Sequence, residues 1–118
     1  MAITTIIRFE NFGIIELKDL LIRMGYPLAN PGSGEIFGWR DEGRVILERS
    51  QVDTFLRSGH LLQLWISSCE DITISFTDGL AEIHFDGVEI EQQRRIQKGL
   101  ERLDIEYLVG TEEEFYGG

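Results

Sequence analysis

The chain has 118 residues, of which 42% are hydrophobic and 27% are charged, so extensive disorder is excluded. Its 11 basic and 21 acidic residues give a net charge of −10, which disfavours direct binding to nucleic acids and to anionic membranes. A single cysteine, Cys69, excludes an intramolecular disulfide and favours a reducing, cytoplasmic location. Because no signal peptide or membrane span is recognisable, we expect one soluble domain over residues 1–118.

The first half of the chain alternates between strand and helix signals. β-branched residues over 3–9 favour a strand, and apolar residues at helical spacing over 14–24 favour a helix that Gly25 ends. A turn sequence in the middle of residues 35–48 is typical of a β-hairpin. The segment 50–57 then predicts a short helix.

The second half has a clearer pattern. Apolar residues alternate over 61–67, 72–76 and 80–85, which predicts three strands that each bury one face. The period then changes, and apolar residues at helical spacing predict an amphipathic helix over 89–103. Residues 105–109 suit a closing strand.

The predicted order of elements is β-α-β-β-α-β-β-β-α-β, in which hairpins dominate. Such an order lacks the regular strand–helix alternation of a doubly wound fold. We therefore predict an α+β fold, with a mainly antiparallel sheet and two or three helices on one face, as a single pair of layers. The end of the chain, residues 111–118, is predicted to be a frayed tail.

The negative charge is concentrated in one half of the chain. Residues 1–59 contain seven basic and eight acidic side chains, whereas residues 60–118 contain four and thirteen. The two halves thus carry net charges of −1 and −9. A field of that sign steers a protein toward basic partners, although acidity also serves solubility alone.

The leading hypothesis is a non-catalytic binding protein whose acidic half docks on a basic protein surface. Its most specific form is a small inhibitor, such as a toxin-immunity protein that covers a nuclease or a nucleic-acid mimic that blocks a defence protein. This hypothesis needs no catalytic residue and no cofactor. The predicted partner-binding residues are carboxylates in turns, on a polar strand face and at a helix start: Glu70, Asp71, Asp78, Glu82, Asp86, Glu89 and Glu91.

A first alternative is a small enzyme or a metal-dependent or ligand-binding domain. Glu82, His84 and Asp86 are two residues apart on one predicted strand, so they share a face. A histidine between two carboxylates can bind a divalent metal or act in acid–base chemistry. The competing interpretation is that these are three ordinary polar residues on an exposed strand face.

A second alternative is a self-associating regulatory or structural subunit, which makes contact through an uncovered sheet edge or face. The aromatic residues to inspect are Trp39, Trp65, Phe115 and Tyr116, since aromatic side chains are enriched in interface cores. For Trp65, burial within an apolar strand is the preferred interpretation.

Overall fold

The computed structural model describes residues 3–117, within which seven strands and four α-helices follow one another. The strands are β1 (Thr5–Phe9), β2 (Ile36–Arg40), β3 (Gly43–Leu47), β4 (Leu61–Trp65), β5 (Asp71–Thr77), β6 (Leu80–Phe85) and β7 (Leu108–Thr111). The helices are α1 (Ile14–Arg23), α2 (Val52–Arg57), α3 (Ile90–Arg102) and α4 (Glu112–Tyr116), and a 3-10 turn, Arg49–Gln51, precedes α2.

All seven strands belong to one antiparallel sheet, with the spatial order β3-β2-β4-β5-β6-β1-β7. Three of the six neighbouring pairs, β2–β3, β4–β5 and β5–β6, are hairpins, while β1 lies between β6 and β7. The prediction of an α+β fold with a mainly antiparallel sheet is therefore confirmed, and the order of elements agrees with the sequence pattern up to β7.

The ends of helices α1 and α3 have a common geometry that the residue types explain. Gly25 has a φ of 105°, and the next N–H, that of Tyr26, donates to the carbonyl of Leu21. After α3, Asp104 has a φ of 54°, and the N–H of Ile105 donates to the carbonyl of Leu100. Both are Schellman motifs, in which a left-handed residue stops the helix.

The main hydrophobic core lies on one face of the sheet. Strand register aligns Ile7 with Ile83, Ile83 with Ile74, and Ile74 with Leu62 across the centre of that face. Helices α1, α2 and α3 bury their apolar stripes in the same cluster through Leu17, Leu21, Phe55, Leu56, Ile96 and Leu100. Burial of each of these side chains contributes about 1.5–3 kcal/mol to the free energy of unfolding.

Helix α2 approaches the sheet closely because β2 carries a glycine beneath it. A Cβ atom on Gly38 would lie 2.3 Å from the Phe55 ring, so only glycine leaves room for that ring. The Phe55 ring thus fills the space on the core face that a side chain at position 38 would occupy.

The end of the chain differs from the prediction. Residues 111–117 are not a frayed tail, because Thr111 caps α4: its hydroxyl accepts from the N–H of Glu114, and the Glu114 carboxylate accepts from the N–H of Thr111. Gly118 lies outside the described residues. The closing strand also begins at Leu108 rather than at residue 105, because Ile105 is part of the turn that ends α3.

Candidate functional site

The face of the sheet opposite α1, α2 and α3 is the candidate site, and we call it the open face. Period-two geometry and the strand register place the following residues on it: Arg8 of β1, Trp39 and Arg44 of the β2–β3 hairpin, Leu61, Gln63 and Trp65 of β4, Asp71, Thr73 and Ser75 of β5, and Glu82 and His84 of β6. Helix α4 folds over one half of this face, and the other half has an accessible depression.

Under α4, an ion pair joins the neighbouring strands β1 and β6. Glu82 is only 1% exposed, and its Oε2 accepts from Nε of Arg8 at 2.7 Å. The second carboxylate oxygen, Oε1, accepts from the hydroxyl of Tyr116. We call these three residues the Arg8–Glu82 network. The prediction that Glu82 is an exposed partner-binding carboxylate is wrong, because the chain itself supplies its partners.

Helix α4 contributes aromatic rings as well as a hydroxyl to this network. The guanidinium carbon of Arg8 lies 4.2 Å from the centre of the Phe115 ring and 5.3 Å from that of Tyr116. Gly110 makes this packing feasible, since a Cβ there would lie 2.9 Å from the Phe115 ring. Burial, and then the hydrogen bond to Glu82, raise the pKa of the Tyr116 hydroxyl.

His84 connects the closed and accessible halves of the open face. Its Nε2 lies 3.0 Å from Oγ of Ser75 and 3.5 Å from Oε1 of Glu82. Burial lowers the pKa of His84, and the Glu82 carboxylate offsets only part of that effect, so the ring is neutral at pH 7.

These three side chains do not have the arrangement of a catalytic triad. In a triad the serine and the carboxylate contact opposite ring nitrogens. Here Ser75 and Glu82 both approach Nε2 of His84, and Ser75 is only 3% exposed, which keeps its hydroxyl from a substrate.

The metal-binding alternative also lacks its geometry. Glu82 and His84 are adjacent, as the sequence predicts, but Asp86 lies in the accessible half and Glu82 is already bound to Arg8. Over residues 3–117, no group of three or more histidine, cysteine, aspartate or glutamate side chains is arranged to hold a metal ion.

The accessible half of the open face contains a depression of about 320 Å³, which we call the cleft. Seven side chains line it: Trp39, Leu61, Gln63, Asp71, Thr73, His84 and Asp86. Trp39 is 41% exposed and provides an aromatic wall, while Asp71 and Asp86 provide carboxylates.

Gln63 is the unusual member of the cleft. It is 6% exposed, and its Nε2 donates to Oδ2 of Asp71 at 3.0 Å. Because a carboxylate only accepts, this bond fixes which end of the amide is the carbonyl. The carbonyl oxygen, Oε1, is buried without a donor among the described residues. An unsatisfied buried acceptor of this kind costs about 1–3 kcal/mol.

The remaining predicted partner-binding carboxylates do not form one site. Glu70 and Asp78 are exposed at opposite ends of β5, which a strand of seven residues separates by roughly 20 Å. Glu89 and Glu91 are exposed at the start of α3. Of the seven carboxylates predicted, Asp71 and Asp86 line a common depression.

The sequence pattern did not identify some residues of the open face, and for others it did not predict the position. Arg8 and Gln63 were not predicted as site residues, although Gln63 alternates with the inward-facing Leu62 and Leu64 and so had to lie on the outer face. Trp39 and Tyr116 were noted as aromatics, but their positions on the open face depend on pairing between distant strands. Trp65 is buried, as preferred, and packs edge-on against Phe37 at 6.0 Å.

Comparison with known protein families, with curated proteins and with solved structures yields no match. Among the helices of residues 3–117, none has both the length and the apolar character needed to cross a membrane.

Proposed function

We propose that this chain is a non-catalytic binding protein that docks the accessible half of its open face on a basic protein surface. The observation that carries the proposal is the cleft, where an exposed tryptophan and two carboxylates lie together. A shallow depression with an aromatic wall and polar acceptors suits recognition of another protein.

The charge of the whole molecule supports a basic partner. A net charge of −10 accelerates association with a positively charged surface, and the effect weakens as salt screens it beyond about 8 Å. The most specific form of the proposal is a small inhibitor that covers the basic substrate cleft of a nuclease or of another nucleic-acid-binding protein.

The experiment compares the wild type with a charge-reversed cleft. The full chain is immobilised and used to capture proteins from its native host, in parallel with Asp71→Lys/Asp86→Lys and with Glu16→Lys. Glu16 lies exposed on α1, away from the open face, and is the matched control. We expect a basic protein that the wild type and Glu16→Lys retain and that the double reversal loses.

Kinetics with the purified partner then test the electrostatic mechanism. The association rate is expected to fall as salt rises, and the double reversal is expected to slow it further. An association rate that responds to neither salt nor the cleft reversal contradicts the proposal. Stoichiometric loss of the partner's enzymatic activity is the expected result for the inhibitor form.

Self-association is the second candidate function, and exposed apolar side chains at the sheet edges favour it. Ile46 of β3 is 62% exposed, and Leu108 and Val109 of β7 are about half exposed. Unpaired edge strands can add a strand from another chain. Light scattering across a concentration series distinguishes the candidates: a stable dimer that Ile46→Lys or Val109→Lys dissociates supports self-association.

A further inference from the structure

The cleft resembles the Arg8–Glu82 network in its chemistry, except that it lacks a cation. In the network, a guanidinium group pairs with the Glu82 carboxylate and lies beneath the Phe115 ring. The cleft offers carboxylates of its own and the Trp39 ring. Yet among residues 3–117 neither Asp71 nor Asp86 has an ion-pair partner within 4.0 Å.

Two arginines on the open face have partners outside the cleft. Arg44, which pairs with Trp39 in register, places its guanidinium 4.4 Å from the centre of the Phe37 ring. Arg8 is held by Glu82 under α4. The carboxylates of the cleft are therefore available to a cation from another molecule.

The acceptors of the cleft suit a group with several donors. The carboxylates of Asp71 and Asp86 accept hydrogen bonds, and the amide of Gln63 holds Asp71 in place by donating to its Oδ2. A guanidinium group presents five N–H donors in a plane, stacks on aromatic rings and loses less hydration than an ammonium group. Trp is the strongest ring for such a cation.

We propose that the cleft binds the guanidinium group of an arginine side chain presented by a partner protein. Its planar face stacks on Trp39 while its N–H groups donate to the carboxylates of Asp71 and Asp86. This inference rests on the proposed function for the nature of the partner, but the cleft can be tested without that partner.

The probe is a blocked tripeptide, acetyl-Gly-Arg-Gly-amide, titrated into the ¹⁵N-labelled full chain. Two matched probes replace arginine by lysine, which keeps the charge, or by citrulline, which keeps the shape without the charge. The signals to follow are the indole N–H of Trp39, distinguished from that of Trp65 by Trp39→Phe, and the side-chain amide of Gln63.

We expect saturable shifts at both signals with the arginine peptide, at a dissociation constant on the order of 1 mM. Binding of the lysine peptide is expected to be at least about threefold weaker, and the citrulline peptide is expected to cause no saturable shift. The variant Asp71→Asn/Asp86→Asn should weaken arginine binding about tenfold or more. Asp78→Asn is the control, because Asp78 has a φ of 53° that asparagine also tolerates.

Three results would overturn the inference: no saturable shift with the arginine peptide, equal binding of arginine and lysine, or shifts that Asp71→Asn/Asp86→Asn leaves unchanged. If the double variant loses the dispersed spectrum of the wild type, Trp39→Leu provides the same test on an exposed side chain.

Failure of the inference is distinct from failure of the proposed function. A host partner that depends on the cleft without arginine binding refutes only the former, and arginine binding without such a partner refutes only the latter.

Discussion

The two halves of the open face differ in how completely residues 3–117 supply hydrogen-bond partners to their buried polar side chains. Under α4, Glu82 receives hydrogen bonds from Arg8 and Tyr116, so the chain satisfies its own buried charge. In the cleft, the carbonyl oxygen of Gln63 has no donor within residues 3–117, and Asp86 remains exposed. The difference shows that polar side chains on one sheet face can be paired within the fold or left accessible, and that the covering element decides which.

The largest expected effect comes from removing the buried carboxylate. Glu82→Ala leaves the guanidinium of Arg8 without its partner in a largely buried position, which costs about 3–5 kcal/mol of the free energy of unfolding. Chemical denaturation measures the change. Glu113→Ala, on the exposed side of α4, is the control and should be near neutral. A midpoint for Glu82→Ala equal to that of the control would mean that the network contributes nothing.

Next in size is the hydrogen bond that fastens α4 to the sheet. Tyr116→Phe removes one donor to an ionised carboxylate while retaining the ring, and we expect a cost of about 2 kcal/mol. The same denaturation experiment measures it, and hydrogen exchange of residues 108–117 should accelerate. Tyr107→Phe, which removes a hydroxyl bound to the exposed Glu101, is the matched control with a smaller effect. Unchanged exchange in α4 would show that this bond does not hold the helix.

The third effect is a dependence of stability on pH that His84 introduces. Burial lowers the pKa of His84 below its usual 6.5, so the unfolded chain takes up a proton at a higher pH than the folded chain does. By linkage, this contribution is constant above pH 6.5, and stability falls as the pH drops from 6.5 through the lower folded pKa.

Denaturation midpoints from about pH 7.5 to about pH 5.5 measure this dependence. His84→Gln should lose less stability than the wild type over that range. Parallel curves for the wild type and His84→Gln would show that the protonation of His84 is not linked to folding.

The smallest effect on stability is expected in the cleft, and it sharpens the comparison between the halves. Asp86→Asn should change the free energy of unfolding by less than about 0.5 kcal/mol, because this carboxylate is exposed and has no ion-pair partner among residues 3–117. Denaturation beside Glu82→Ala measures both on one scale. A cost above about 1 kcal/mol would place Asp86 in the structural half of the face.

Local sequence patterns predicted most of the fold but little of the site. Alternating residues identified β4, β5 and β6, and the switch of period located α3, because these signals depend only on neighbours along the chain. The burial of Glu82 could not be predicted in this way, since its partner Arg8 lies 74 residues away. The position of β1 between β6 and β7 is likewise a product of tertiary packing.

The sequence predicts the capping of helix α4 but not its packing. Thr111 and Glu114 form a capping box, a local pattern that is readable in the sequence and argues against a frayed end. What the pattern cannot show is that Phe115 and Tyr116 fold back over Arg8. That contact requires β7 to pair with β1, and it determines which half of the open face remains accessible.

The position of β1 between β6 and β7 also bears on how the protein folds during synthesis. As the ribosome releases the chain, Thr5 emerges early, but its two pairing partners, Phe85 and Thr111, follow much later. At about 5–20 residues per second, the delay before β7 appears is on the order of 10 s. The hairpins β2–β3 and β5–β6 pair locally and can form meanwhile. Nascent chains arrested before β6 should therefore stay sensitive to protease. Resistance should arise in one late step, when β6 and β7 pair with β1.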